Sequence, residues 1–133
     1  MIGLDTNVLV RYLAQDDPGQ ASAATRLIER FTDDAPGFIS TVALVETVWV
    51  LSHAYRTPRT EIVPIIEGLL RSKEIVVEQA EIHYAALGAY QSTAADYADI
   101  IIAQSGKRAG CTETVTFDRR AEQGAKMRLL RAG

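Results

Sequence analysis

Cysteine and histidine are nearly missing from this chain. Its 133 residues include one cysteine, Cys111, and two histidines. A lone cysteine excludes an internal disulfide and fits a reducing cytoplasm, the expected compartment. No apolar run is long enough to span a bilayer, so no membrane role is expected. The N-terminus has no basic stretch followed by an apolar run and a cleavage site, so a secretory signal is not expected. Repeats, low-complexity tracts and linkers are absent as well. An excess of positive charge is also missing: the formal net charge is -3, which by itself argues against a nucleic-acid partner. The distribution alters that reading. From Gln104 onward seven basic residues stand against three acidic ones, whereas residues 1–103 hold seven basic and fourteen acidic. The basic tail is either a binding face or a solvated surface, and bound cations would offset several acids, so net charge leaves the partner open.

What is present suits one domain over residues 1–133 with one hydrophobic core. The apolar fraction, 47%, is ordinary for a globular protein. Ile2–Leu4 reads as a buried strand that ends on Asp5. Val8, Leu9, Tyr12 and Leu13 then recur at helical spacing. Asp17-Pro18 starts a second helix, with aspartate as N-cap and proline at the first position. Phe38-Ile39 reads as a strand. Ser40 or Thr41 caps a helix running from Val42 to about Tyr55, apolar nearly all round and therefore expected to be buried. Thr57-Pro58 starts another helix. Ile75–Val77 is a β-branched strand. A helix is expected from Ala80 to Ser92, and a further one over Ile100–Ala103, where alanine-rich flanks and the stops at Gly106 and Gly110 favour helix over strand. Thr112–Phe117 alternates as a strand and ends on Asp118. Residues 127–130 suit a last edge strand. Strands alternating with helices imply an α/β fold with a parallel sheet covered on both faces.

Four carboxylates stand where propensity does not explain them. Asp5 and Asp118 each follow an apolar strand, Glu46 lies in the apolar helix, and Asp99 precedes three isoleucines. A buried carboxylate without a partner costs several kcal/mol, so it is protonated, paired or metal-bound. Each has a plainer reading as well: Asp5 as a helix cap, Glu46 on a polar strip or paired with a distant arginine, Asp118 in a turn. Asp96 and Asp99 share a helix face, and Asp96, nearer the helix start, suits capping. Brought together, the four acids would bind hard cations. Oxygen ligands with no histidine or cysteine nearby favour Mg²⁺ or Mn²⁺ over zinc. Two such ions roughly 4 Å apart can clamp the attacking and leaving oxygens of a phosphodiester displacement.

At these residues the sequence resembles the PIN-domain ribonucleases, and more narrowly the VapC toxins of type II toxin–antitoxin pairs. The resemblance rests on Ile2-Gly3-Leu4-Asp5-Thr6-Asn7-Val8-Leu9, on Val45-Glu46, on Asp96-Tyr97-Ala98-Asp99-Ile100-Ile101-Ile102-Ala103 and on Thr114-Val115-Thr116-Phe117-Asp118. It spans nearly the whole chain, with the motifs in the family's order. It implies a three-layer α/β/α domain with a central parallel sheet of four or five strands. It also implies metal-dependent endonuclease activity on RNA. Carried over residue by residue, Asp5, Glu46, Asp99 and Asp118 form the acidic site, with Asp96 a possible further metal ligand. Thr6, Asn7 and Thr116 match polar positions that orient carboxylates or water. The resemblance further implies a homodimer and an inhibitory antitoxin.

Other residues carry weaker readings. Arg11 lies one helical turn after Asn7 and is a candidate phosphate contact; Arg119 and Arg120, directly after Asp118, are candidates for the RNA backbone. Trp49 reads as core rather than as a base-stacking platform, as do Tyr12, Tyr55 and Tyr97. His53 reads as a packing or surface residue and His83 as exposed. A response-regulator receiver would need adjacent acids after the first strand and a lysine after the fifth. A haloacid dehalogenase-type phosphatase would need an acid where Asn7 stands. Within the same fold, an RNA-processing nuclease with no antitoxin is the main alternative, and an inactive nucleic-acid-binding module is the remaining one.

Overall fold

The structure is a computed structural model that describes residues 1–133. The chain forms two compact units, Met1–Ala80 and Glu81–Gly133. No helix is long and apolar enough to cross a membrane.

The first unit runs β1 (Ile2–Gly3), α1 (Thr6–Ala14), α2 (Pro18–Glu29), β2 (Gly37–Ile39), α3 (Thr41–His53), α4 (Arg59–Arg71) and β3 (Ile75–Val77). Its strands pair in parallel in the order β1-β2-β3, with Ile2 opposite Gly37 and Phe38 opposite Val76. The helix starts follow their caps. Asp17 accepts from Gln20 N at 3.0 Å with Pro18 at the first position of α2, and Ser40 accepts from Ala43 N at 3.1 Å at the start of α3. Such a cap is worth about 1 kcal/mol. The core of this unit gathers Leu9, Ile39, Leu44, Ile62 and Ile66, all nearly inaccessible. Each contributes roughly 1.5–3 kcal/mol by leaving water.

Two expectations fail in this unit. Ile2–Leu4 is not a buried strand: β1 spans two residues, Ile2 and Gly3 are exposed, and only Leu4 is buried. β1 lies at one edge of the sheet, as β3 does at the other, so it is covered from one side only. Nor is α3 buried all round. Ala43, Leu44, Thr47, Val48 and Leu51 form its buried face. Val42, Glu46, Trp49 and His53, spaced by four, three and four, form an exposed stripe opposite. Apolar residues on both faces mask the amphipathic geometry that periodicity would otherwise reveal.

The second unit contains α5 (Ala80–Ser92, which starts at the boundary), α6 (Tyr97–Arg108), β4 (Val115–Thr116), α7 (Arg119–Ala125) and β5 (Arg128–Leu129). The isoleucine run is helical, within α6. The strand expected over 112–117 shortens to two residues, and the last strand pairs with it in parallel, Val115 opposite Arg128. The expected central sheet of four or five strands is therefore corrected: one parallel sheet has three strands, and β4 and β5 form a separate pair. The ladder groups of β4 are taken up by β5 and its flanks, through Arg128 N to Thr114 O and Leu130 N to Thr116 O. Gly124 of α7 packs directly under Ala95, and an added Cβ would strike the Ala95 backbone. This contact brings the residues just before α6 against the helix that follows Asp118.

Candidate carboxylate site

In the first unit Asp5 lies beyond the carboxyl end of β1, where open α/β sheets place ligand-binding residues. It is the N-cap of α1: Oδ1 accepts from Thr6 N at 2.9 Å, and Asn7 Nδ2 donates to Oδ2 at 3.4 Å. Both carboxylate oxygens are thus oriented by the next two residues, while the side chain stays exposed. The Thr6 side chain is buried and acts only through its backbone here. Glu46 stands on the exposed stripe of α3. The inference that it must be neutralised because it is buried therefore loses its premise. Trp49, expected in the core, is 57% exposed and stacks on His53 with ring centroids 4.6 Å apart.

Arg11 is committed locally. It donates to Gln20 Oε1 at 2.7 Å, to Asp16 Oδ1 at 3.3 Å and to the Tyr55 hydroxyl at 3.1 Å. Tyr55 in turn donates to Asp16 Oδ2 at 2.7 Å. That hydroxyl, aided by Arg11, holds the Asp16 carboxyl below the usual carboxylate range. A guanidinium shared among three partners is a tie between α1 and the segments around it, and RNA would have to compete for it.

The second unit gathers three acids. Asp118 is the N-cap of α7 and accepts from Arg120 N at 2.8 Å, while its own N–H donates to Thr116 Oγ1 at 3.0 Å. Asp96 is the N-cap residue of α6, yet its carboxylate makes no capping hydrogen bond. Asp99 lies in the first turn of the same helix and is half-buried. Partial burial pushes the Asp99 carboxyl up, and the charges of Asp96 and Asp118 push it further. A carboxyl raised by neighbouring negative charge is in an environment that a cation would relieve. Arg119 and Arg120 are exposed and take no part in the ion pairs Arg11–Asp16, Arg71–Glu67 and Arg128–Glu113.

The donor chemistry suits a hard divalent ion, since Asp5, Glu46, Asp96, Asp99 and Asp118 offer oxygen only. The side chains as they stand do not form a ready ligand set: no three acidic, histidine or cysteine side chains converge closely enough to hold one ion.

His83 was missed by sequence reasoning. Expected on the surface, it is completely buried, with Nδ1 2.6 Å from the Tyr97 hydroxyl. The signal was available: His83, Ala86, Leu87 and Tyr90 follow helical spacing and share the buried face of α5. Tyr97 is buried as expected. Its ring meets Tyr90 edge-on at 5.4 Å and lies nearly parallel to His83 at 5.8 Å. Burial, with Tyr90 nearby, pushes the Tyr97 hydroxyl far above its ordinary range, so it is neutral at any physiological pH.

Comparison with known proteins places these residues in context. The sequence profile of the PIN domain matches residues 2–127. A protein of Aquifex aeolicus (strain VF5) described as a VapC ribonuclease is 25% identical over 122 residues, covering 88% of this chain and 87% of that protein.

Proposed function

The chain belongs to the PIN domain family, and on that premise we propose that it is a metal-dependent endoribonuclease, the toxin of a type II toxin–antitoxin pair. Its acidic residues are Asp5 and Glu46 in the first unit and Asp99 and Asp118 in the second, with Asp96 as an accessory. The observation that carries this reading is the place of Asp99 in the first turn of α6, half-buried, where burial first and the charges of Asp96 and Asp118 next raise its carboxyl. The likeness to a VapC ribonuclease supports RNA as substrate. Residues 1–133 are read as one nuclease domain that works as a homodimer in the cytoplasm.

A bound Mg²⁺ or Mn²⁺ would neutralise the carboxylates and lower the pKa of a water so that it can attack phosphorus. The chain itself supplies orientation. Thr6 N–H and Asn7 fix the Asp5 carboxylate. Thr116 holds the backbone of Asp118, whose carboxylate is steered by the start of α7. Exposed Arg119 and Arg120 suit contacts with the RNA backbone, and Arg11 would serve only by giving up a present partner.

An antitoxin segment would find a cleft of about 440 Å³ in the first unit, of mixed polar and apolar lining, formed by Tyr12, Leu13, Ile28, Phe31, Ile65 and Leu69 together with Glu29 and Glu74. That lining suits a partner segment with apolar and basic side chains.

The test is cleavage of single-stranded RNA by the purified protein with Mg²⁺ or Mn²⁺ and with EDTA. Cleavage is expected only with the cation; undiminished cleavage in EDTA would overturn the mechanism. Reversing charge at Arg119 and Arg120 together should weaken RNA binding and flatten its dependence on salt by about one phosphate contact per arginine. An unchanged salt slope would remove them from the interface.

A further inference from the structure

Four aspartates occupy N-cap positions in this chain: Asp5, Asp17, Asp96 and Asp118. Three of them accept a hydrogen bond from a backbone N–H of the helix they start, and Asp96 does not. The start of α6 is thus deprived of its local anchor, in the turn that carries Asp99. The very next residue supplies a tertiary one. Tyr97 is 3% exposed, wedged against Tyr90 and His83, and its hydroxyl lies 2.6 Å from Nδ1 of His83, which is wholly buried. Asp96 and Asp99 flank Tyr97 by one and two residues on the first turn of α6. Any rotation of that turn moves both carboxylates and breaks a buried hydrogen bond.

We propose that His83 and Tyr97 are positioning residues: their buried hydrogen bond anchors the first turn of α6 in place of a side-chain cap, leaving the Asp96 carboxylate free and fixing where Asp96 and Asp99 point. The pair is buried, away from any surface where RNA or a cation would bind. It acts as the outer partners of metal ligands act, through the orientation of the groups that bind. This inference rests on the proposed nuclease reading, in which those acids bind the ion.

The test uses the full chain and three substitutions. Tyr97→Phe keeps the ring and removes only the hydroxyl. His83→Leu removes the nitrogen partner. His83→Asn places an amide where Nδ1 stands and keeps a hydrogen-bonding partner. Mn²⁺ affinity is measured by calorimetry without RNA, and cleavage kinetics are measured separately. Tyr97→Phe should weaken Mn²⁺ binding about 10-fold and lower kcat to a similar degree, with KM for RNA unchanged. His83→Asn should recover most of the loss that His83→Leu causes. Wild-type Mn²⁺ affinity and kcat in Tyr97→Phe would overturn the proposal even if His83→Leu fails to fold. A failure of His83→Asn to improve on a folded His83→Leu would overturn it too. A wild-type protein that neither binds Mn²⁺ nor cleaves RNA would overturn the nuclease reading, and this proposal with it.

Discussion

Asp118 and Asp96 both sit at the start of a helix in the second unit, and they are used differently. Asp118 is tied to its helix by a 2.8 Å hydrogen bond from Arg120 N, and its backbone is tied to Thr116. Asp96 has no such tie, and its helix is anchored one residue later through Tyr97 and His83. The first carboxylate combines a structural task with its proposed chemical one, and the second is spared the structural task. A carboxylate that caps a helix is oriented cheaply, but one of its oxygens is shared with the backbone. An uncapped one keeps its oxygens, and the fold must hold the helix by other means.

Several substitutions would break or sharpen that contrast. The largest effect is expected from Asp118→Ser, which keeps a capping oxygen and removes the carboxylate. Melting temperature should stay near wild type, while RNA cleavage falls at least about 100-fold, the upper end of what an outer partner alone costs. Activity close to wild type would take Asp118 out of the acidic set. Gly124→Ala comes next, because a Cβ there meets the Ala95 backbone. It should cost about 1–3 kcal/mol in denaturant melts, and an unperturbed midpoint would show that the segment before α6 yields freely. Asp118→Ala should lose about 1 kcal/mol with its cap, and Asp96→Ala, with no cap to lose, clearly less. Equal losses would erase the distinction between the two helix starts.

The smallest effect is a pH dependence. The Asp99 carboxyl is raised in the folded chain above its ordinary value of 3.8. A raised carboxyl binds its proton more tightly when folded, so the stability it contributes is fully present below the unfolded value and is lost as pH rises through the folded one. Without added cation, Asp99→Asn should therefore flatten the fall in stability just above the ordinary carboxylate range. A fall of undiminished slope would mean that other acids cause it.

The helix starts were legible in the sequence wherever a cap or a proline marked them. Asp17-Pro18 opens α2, Ser40 caps α3, and the Ala80–Ser92 helix lies where spacing puts it. The isoleucine run is helical because its flanks are helix formers. The strands were less legible, because two-residue ladders such as Val115-Thr116 carry too little pattern to tell which partner takes their hydrogen bonds. The faces of α3 were misread because Val42 and Trp49 put apolar residues on its exposed stripe. His83 escaped notice because a histidine is valued for its charge before its ring is counted among the core residues of α5. The acids themselves stood out by type and position, but the arrangement of Asp96, an N-cap residue that does not cap, depends on side-chain rotation that no spacing encodes.

The most direct test of the central claim, that Asp99 and Asp118 serve one proposed metal-dependent reaction, is Mn²⁺-dependent RNA cleavage by Asp99→Asn, Asp118→Asn and the double variant. Groups that serve one step are strongly non-additive. The double variant should therefore be about as inactive as the worse single one. Losses that multiply, or a single variant that retains full activity, would contradict the account.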